Sequence, residues 1–389
     1  TCTSSLITIR LMQRYKQGIR TMDVGLGLTF QNLRNQLTDK EVYKHQLKMA
    51  VDTEALGFDS VWTPEHHFTN YNMTPNVPQF LAFVAGQTKR IKLGTTVTVL
   101  PWQDPVRTAE SFILLDYFSE GRAVLGIGRG LGASEFEGFR VPMGESRGRF
   151  TEYAEAVLTA LETGVMEYDG KYLKQPRVEL RPAPYESFRG RVFASAISPE
   201  SVNLMAKLDV GLMVIAQKPW DKVAEDLASY RQIFLARNGV AAPKPVFAVF
   251  VAVHEDRAVA QEMRDKHIKA YTRSTSDFYQ FANAEFAEID GYEYYGGLAK
   301  NIAKHGIGKF NDFLADLQVW GTPDEVAEKL AAMVEEFDIG SFVTYFQYGE
   351  MPAEMGRANY ELFAKKVLPK LKDIDTSVMQ PAQELQSVA

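Results

Sequence analysis

The sequence contains one cysteine, Cys2, among 389 residues. A single cysteine excludes an intrachain disulfide and a cysteine-rich metal site, and its place near the first residue argues against a catalytic thiol. This cysteine usage is typical of the reducing cytoplasm, where we expect the protein to act. No apolar run reaches the roughly 18 residues that a membrane-spanning helix needs, so we predict no membrane segment. The first 21 residues lack the apolar centre and cleavage site of a signal peptide.

The sequence also contains fewer basic than acidic residues. The 43 Lys and Arg are outnumbered by 49 Asp and Glu, for a net charge of −6, whereas nucleic-acid surfaces need clustered basic residues. We therefore expect a small-molecule ligand and no nucleic-acid partner. The hydrophobic content of 46% excludes a disordered chain, and no Gly-, Ser- or Pro-rich linker divides it. We predict a poorly ordered extension at 1–21, a single domain at 22–372 and a tail at 373–389.

One strand–helix–strand unit is the clearest pattern in the sequence. Residues 91–100 are β-branched and apolar, which is typical of a strand buried on both faces. Asp104 as N-cap and Pro105 at the first helical position begin a helix, and residues 122–127 form a second buried strand. Such a crossover unit predicts a parallel sheet, with the glycine-rich loop 128–132 at its carboxyl end.

Strands and helices alternate along the whole chain, eight of each. This alternation predicts a (β/α)8 TIM barrel with insertions, the longest of them after strand seven. A doubly wound sheet is the alternative, but the alternation never breaks into a second domain. Chemistry in such barrels sits at the carboxyl ends of the strands. That rule selects the segments 65–68, 95–104, 128–132, 195–201 and 347–349.

Two of these segments have the residues of an anion site. The glycines around Arg129 would let a backbone approach an anion while the guanidinium donates to it; a tight turn is the alternative. The loop only partly fits a dinucleotide fingerprint, because a helix after Gly148 replaces the required strand and acidic residue. Ser198 and Pro199 begin a helix whose free amides suit a phosphate, although simple capping explains them equally.

Glu65, His66 and His67 follow the second strand directly. In extended backbone Glu65 and His67 share one face, and His66 points to the other. The three residues lack the i, i+4 spacing of a helical zinc site, so a metal-dependent barrel hydrolase is the less favoured alternative and we expect no metal. A histidine at the barrel mouth suits acid, base or hydrogen-bonding duties.

The chain resembles the flavin-dependent monooxygenases similar to the bacterial luciferase α subunit. The likeness covers about residues 22–371 and rests on the segments 57–69, 93–101, 105–110, 114–116, 121–130 and 320–323. It implies a (β/α)8 barrel, usually a homodimer, that binds reduced FMN delivered by a separate NAD(P)H-dependent flavin reductase. The implied reaction inserts one oxygen atom from O2 into a small, largely apolar organic substrate through a peroxyflavin.

The same resemblance implies roles for individual residues. His66 corresponds to the histidine that acts as catalytic base or stabilises the peroxyflavin, and we include the adjoining Glu65 as a catalytic candidate. Arg129 and Arg147 correspond to arginines at the flavin phosphate, and the bond between Thr96 and Val97 to a cis peptide behind the flavin ring. The residues expected to bind FMN are Thr96, Val97, Gly128, Arg129, Leu131, Arg147, Ser195 and Ser198.

Some features depart from luciferase itself. Gly128 replaces a reactive cysteine and Ser195 replaces a glutamate, so light emission is not implied. Some relatives use the deazaflavin F420, and an F420-dependent oxidoreductase is therefore the alternative function; a flavin carrier without catalysis is a further one. The paired Arg129 and Arg147 favour FMN. The aromatic-rich stretch 273–310 resembles the mobile loop that covers the site and shields it from water.

Overall fold

Parallel strands form a closed barrel at the centre of the protein. The structure, a computed structural model, describes residues 21–195 and 199–377. The barrel strands are β1 (Asp23–Gly27), β2 (Ser60–Thr63), β3 (Lys92–Thr95), β4 (Ala123–Gly128), β5 (Val192–Ser195), β6 (Gly211–Ile215), β7 (Val246–Val253) and β8 (Ser341–Tyr345). Each strand pairs in parallel with the next, and β8 pairs with β1 to close the ring. The predicted (β/α)8 barrel is confirmed, and the doubly wound alternative is wrong.

Helices surround this barrel. They are α1 (Asp39–Asp52), α2 (Val77–Gln87), α3 (Pro105–Ser119), α4 (Ala133–Phe139), α5 (Ser146–Thr163), α6 (Pro199–Lys207), α7 (Trp220–Asn238), α8 (Arg257–Met263), α9 (Lys269–Tyr279), α10 (Glu293–His305), α11 (Ile307–Asp316), α12 (Pro323–Phe337), α13 (Ala353–Lys366) and α14 (Leu368–Lys372). Asp104 caps α3, as the sequence predicts. No helix of the described residues is both long enough and apolar enough to cross a bilayer.

Two apolar cores stabilise the barrel. The larger includes Leu93, Phe112 and Leu125 and joins the strands to the surrounding helices. The smaller includes Trp62, Phe250 and Tyr345. Trp62 occupies its space so fully that a Cβ at Gly94 would lie 2.1 Å from the indole ring, so this strand position requires glycine.

Residues 91–100 form two short strands instead of one long strand. β3 ends at Thr95, the Thr96–Val97 peptide bond is cis, and the strand Thr98–Val99 then pairs with β4. The expected cis bond is confirmed. The break places the Thr96 side chain at the carboxyl end of the barrel, where its hydroxyl lies 3.0 Å from the Tyr345 hydroxyl.

Two excursions leave the barrel. Val165–Asp169 and Lys174–Glu179 form the antiparallel hairpin predicted from the sequence. The larger excursion, residues 269–318, follows α8 and one π-helical turn and ends before the short strand Val319–Gly321, which pairs with β7. We call this segment, which contains α9, α10 and α11, the insertion. It lies over the carboxyl end of the barrel because Tyr271 and Tyr279 reach the cavity described below.

Candidate active site

A cavity of about 70 Å³ lies at the carboxyl end of the barrel. Its walls include His66, Thr96, Phe250 and Tyr345 from the barrel and Tyr271 and Tyr279 from the insertion. Burial raises the pKa of Tyr279 and of Tyr345 well above the ordinary tyrosine value. These phenols therefore remain protonated near neutral pH and present uncharged hydroxyl groups to the cavity.

A hydrogen-bonded chain of three side chains orients His66. Its Nδ1 lies 3.0 Å from Oε1 of Glu135, and its Nε2 lies 3.3 Å from the Tyr279 hydroxyl. Because the Glu135 carboxylate can only accept, the ring of a neutral His66 carries its hydrogen on Nδ1 and donates that hydrogen to Glu135, which leaves Nε2 to accept from the Tyr279 hydroxyl. The same Glu135 oxygen accepts from the His67 amide at 2.8 Å. The chain thus fixes both the tautomer and the orientation of the ring.

Glu135 is the functional residue that the sequence analysis missed. It lies on α4, a helix that was not predicted, and is 69 residues away from His66 in sequence. The available signal was its place seven residues beyond Gly128, the strand end that the barrel rule had already selected. Only 1% of Glu135 is exposed, and a buried carboxylate requires partners of this kind.

Glu65 lies behind the cavity instead of in its wall. Its carboxylate accepts hydrogen bonds from the Val99 amide, Trp102 Nε1 and Gln103 Nε2, and it lies 3.0 Å from His67 Nε2. As predicted, Glu65 and His67 share one face of the extended backbone while His66 takes the other. These contacts join the loop after β2 to the loop after β3, so Glu65 positions these two loops.

Gly128 and Val97 fit each other at the ends of adjacent strands. A Cβ added to Gly128 would lie 2.3 Å from Val97 Cγ2, so the close approach of these two loops requires glycine. Thr96 lines the cavity directly. Val97 belongs to the partly buried residues that pack on the smaller core. The structure therefore brings Thr96 to the cavity wall and places Val97 and Gly128 beneath it.

Arg129 and Arg147 converge on one backbone oxygen. Both guanidinium groups donate to the carbonyl of Gly291, which belongs to the insertion. Gly291 has a φ of 84°, and a Cβ there would lie 2.8 Å from an Arg129 nitrogen, so both the backbone and the space require glycine. The Glu293 carboxylate lies 4.0 Å from Arg147. A hydrogen bond from the Gly291 amide, together with both arginines, lowers the pKa of Glu293.

The insertion packs on the same loop through Tyr292. This ring is fully buried, lies 4.1 Å from the Arg129 guanidinium, and donates a hydrogen bond from its hydroxyl to the Gly130 carbonyl at 2.9 Å. Leu131 packs against the apolar cluster of the insertion, which is centred on Phe281, Phe286, Tyr292, Tyr295 and Ile302. Arg129 and Leu131 are thus covered by the insertion.

Two further residues, Ser195 and Ser198, were predicted to bind FMN. Ser195 is the last residue of β5, half-buried and paired in register with Met213. Ser198 lies outside the described residues. Within 21–195 and 199–377, no group of three or more His, Cys, Asp or Glu side chains is placed to hold a metal ion.

Comparison with known proteins gives a family for this architecture. A family model described as luciferase-like monooxygenase matches residues 22–338. Among relatives, the alkanal monooxygenase alpha chain of Photobacterium leiognathi is 28% identical over 342 residues, covering 86% of this chain and 95% of that protein. The alkanal monooxygenase alpha chain of Photorhabdus luminescens is 26% identical over 351 residues, with 88% and 96% covered.

Solved structures share the fold at lower identity. Monooxygenase RslO1 from Streptomyces bottropensis superposes with a TM-score of 0.75 at 24% identity, covering 90% of this chain and 99% of that one. The oxygenating constituent of 3,6-diketocamphane monooxygenase from Pseudomonas putida, solved with FMN, gives 0.67 at 20%, with 90% and 98% covered. An F420-dependent secondary alcohol dehydrogenase gives 0.64 at 16%, with 91% and 100% covered.

Proposed function

Because the chain belongs to the luciferase-like monooxygenase family, we propose that it uses reduced FMN and O2 to oxygenate a small, largely apolar organic substrate. One oxygen atom enters the substrate, and the other leaves as water with two electrons and two protons from the reduced flavin. The resemblance noted in the sequence is confirmed by the family match over residues 22–338. Bound reduced FMN would supply the electrons that activate O2.

The observation that carries this proposal is the convergence of Arg129 and Arg147 beside an aromatic cavity. Two guanidinium groups that meet at one carbonyl oxygen form a ready site for a phosphate, which arginine binds through paired, charge-assisted hydrogen bonds. The cavity walls of Phe250 and Tyr345 suit a flat, apolar ring. The residues therefore fit a flavin mononucleotide: Arg129 and Arg147 would hold its phosphate, and the aromatic walls of the cavity would hold its ring.

His66 is the group that we assign to proton handling. Its ring lines the cavity, and Glu135 holds Nδ1, so Nε2 is the atom that faces the chemistry. A neutral Nε2 can accept a proton, and the Glu135 carboxylate then stabilises the resulting imidazolium. The Tyr279 hydroxyl contacts Nε2 in this structure, so movement of the insertion would free Nε2 for the reaction.

The insertion serves as the cover of this site. A volume of about 70 Å³ is well below the roughly 300–1,000 Å³ of ligand pockets. Admission of a flavin ring therefore requires Tyr271 and Tyr279 to move, and their return would exclude water during the reaction. The buried aromatic cluster around Tyr292 supplies the apolar surface for closure.

Assembly and supply of the cofactor are further parts of the proposal. Exposed apolar side chains lie on one face of α3, at Leu114, Tyr117 and Phe118, with Phe83 on neighbouring α2. Such a patch suits a homodimer interface, and Phe118→Glu should convert the dimer to a monomer in light-scattering measurements. We propose that a separate NAD(P)H-dependent reductase supplies reduced FMN through transient contact in the cytoplasm.

A cofactor titration followed by isotope analysis tests the function. Purified protein is titrated anaerobically with reduced FMN and with reduced F420, and each mixture is then exposed to ¹⁸O2 with a panel of aldehydes and ketones. We expect FMN to bind and one ¹⁸O atom to appear in the product. Binding of F420 alone, with substrate oxidation but without ¹⁸O, would assign the protein to the F420-dependent oxidoreductases instead.

A further inference from the structure

Gln31 presents a hydrogen-bond donor to the cavity that no described residue accepts. It follows β1 at the carboxyl end of the barrel and lines the same cavity as His66. Its Oε1 accepts a hydrogen bond from the Gly349 amide at 2.9 Å. Its Nε2 is buried and has no hydrogen-bond partner among the described residues.

The orientation of this amide is fixed by its neighbour. If the Gln31 side chain were flipped, its NH2 group would face the N–H of Gly349, and two donors would oppose each other. The Oε1 atom therefore accepts from the Gly349 amide, and the NH2 group is left without an acceptor. A buried donor without an acceptor lowers stability, so such a group in a binding cavity is a feature that requires a reason.

The other hydroxyl groups of the cavity are already paired. Tyr71 lies 3.3 Å from the Tyr271 hydroxyl and 3.1 Å from Thr275 Oγ1. The hydroxyls of Thr96 and Tyr345 pair with each other. Gln31 thus differs from these neighbours, because the acceptor for its NH2 group must come from a molecule that enters the cavity.

The chemistry of the walls limits what that molecule is. Apolar contacts come from Ile215, Ala248 and Phe250, and no Lys or Arg is among the described residues that line the cavity. An anionic headgroup would find no counter-charge here, whereas an uncharged carbonyl oxygen needs only one donor. We propose that Gln31 is a specificity-determining residue that binds the carbonyl oxygen of an uncharged, largely apolar aldehyde or ketone. This inference rests on the proposed function, because it assigns that site its substrate class.

The direct test uses cyclohexanone and methylenecyclohexane, which differ only in the acceptor oxygen, with full-length protein and neither flavin nor O2. Binding is measured by calorimetry, and the carbonyl stretch of bound ¹³C-labelled cyclohexanone by infrared difference spectroscopy. The alkene leaves water more readily than the ketone, so the ratio of ketone to alkene affinity is compared between proteins. We expect this ratio to be about tenfold higher in the wild-type protein than in a variant without the donor, the factor that one hydrogen bond supports. The stretch should also move to lower wavenumber. An unshifted stretch in the wild-type protein would overturn the proposal without reference to any variant.

Two variants separate the donor from the fold. Gln31→Glu keeps an oxygen for the Gly349 amide but removes the NH2 group, so the ratio of ketone to alkene affinity should fall about tenfold and the infrared shift should disappear. Gln46→Met is the matched control, since Gln46 is a buried amide that donates to Gln347 on the same loop but does not line the cavity. It should retain both signals. Loss in both variants, or retention in both, contradicts a specific role for Gln31.

A third measurement distinguishes substrate from cofactor. If Gln31→Glu weakens FMN binding more than ketone binding, the NH2 group serves the flavin and the proposal is wrong. If Gln31-dependent ketone binding is found but no ¹⁸O enters any product, the inference stands and the proposed oxygenation fails.

Discussion

Arg122 and Arg129 stand at opposite ends of the same strand, β4, and are bound in opposite ways. Arg122, at the amino end, donates to the carbonyls of Ala85, Thr88, Ile91 and Ser119 and to the Thr88 hydroxyl. Arg129, at the carboxyl end, donates to the Gly291 carbonyl and stacks on Tyr292. The guanidinium of Arg122 thus finds all of these acceptors in the helices and loops that surround the barrel. Arg129 is held by the insertion, the segment that we propose to move.

The difference teaches how this barrel divides stability from function. At the amino end, Arg191 likewise forms a paired contact with fully buried Asp116, at 2.6 and 2.9 Å. Charges there have fixed partners from adjoining helices and loops, so they order the barrel. In the proposed function, Arg129 and Arg147 at the carboxyl end serve a ligand instead. Four experiments test this division, in order of decreasing effect.

The largest effect is expected at His66. In His66→Asn, loss of the proton-handling ring should lower kcat by about 10²- to 10⁴-fold, the usual contribution of acid–base catalysis. The urea midpoint should change little. His67→Asn is the control, because this ring packs on Phe139 and pairs with Glu65 instead of entering the cavity. Equal losses of kcat in both variants would contradict the assignment.

Next in size is the effect of removing Arg122. Arg122→Met leaves several buried carbonyls without a donor, which should lower the free energy of unfolding by about 3 kcal/mol. Flavin affinity and kcat of the folded protein should be unchanged. Arg107→Met, at an arginine that is 82% exposed, is the control and should leave the free energy of unfolding unaltered. A fall in kcat with unchanged stability would break the division between the two ends.

Arg129→Ala should act on binding instead. Loss of a charge-assisted contact to the phosphate should weaken reduced FMN by about 2 kcal/mol, roughly 30-fold in Kd. Riboflavin, which lacks the phosphate, is the control ligand: its binding should not weaken in the variant, and it should tighten to the extent that loss of the Gly291 contact frees the insertion. If FMN affinity is unchanged, or if riboflavin weakens equally, the phosphate does not lie at Arg129.

The smallest effect is expected at His267. This residue stabilises the fold although it lies near the carboxyl end of the barrel, so it tests whether the two ends are divided strictly. It is buried, and Nδ1 lies 3.0 Å from the Gly349 carbonyl. Burial lowers its pKa below the ordinary histidine value, with Lys266 adding to the effect and the Gly349 contact, Glu350 and Glu262 opposing it.

The unfolded chain therefore binds a proton at this histidine more readily than the folded chain does. Stability from His267 should be fully present above about pH 6.5, the ordinary histidine pKa, and should fall as the pH drops toward the lowered folded value. In His267→Gln, the slope of unfolding free energy against pH should flatten over this window. His305→Gln, at an exposed site, should leave the slope as it is, and an unaltered slope in both would refute the role.

Local sequence signals were enough to predict the barrel but not the partners within its site. The cap at Asp104 and the strand alternation were predicted from local signals, and the cis bond between Thr96 and Val97 from the family resemblance. At α1, the adjacent Thr38 and Asp39 are both residue types that cap helices, and the structure shows that Thr38 is the cap and forms a capping box with Glu41. Both residues are good caps, and a shift of one position decides between them.

Contacts between segments that lie far apart in the chain could not be predicted from the sequence. His66 was found because it follows a strand end, but its partners Glu135 and Tyr279 lie 69 and 213 residues away. Glu65 carries the same type of carboxylate as Glu135, and only the fold shows that Glu65 is surrounded by donors from the loop after β3. The unpaired amide of Gln31 likewise becomes visible only when every neighbouring donor and acceptor is placed.

The Gly291 carbonyl has a consequence for affinity. It stands where the two guanidinium groups meet, so an anion that takes both groups must displace an internal competitor tethered to the same chain. The observed dissociation constant is then the intrinsic value divided by the fraction of molecules in which the insertion has withdrawn. Any substitution that loosens the insertion, even far from the arginines, would therefore tighten cofactor binding while weakening the closed state that shields the chemistry from water.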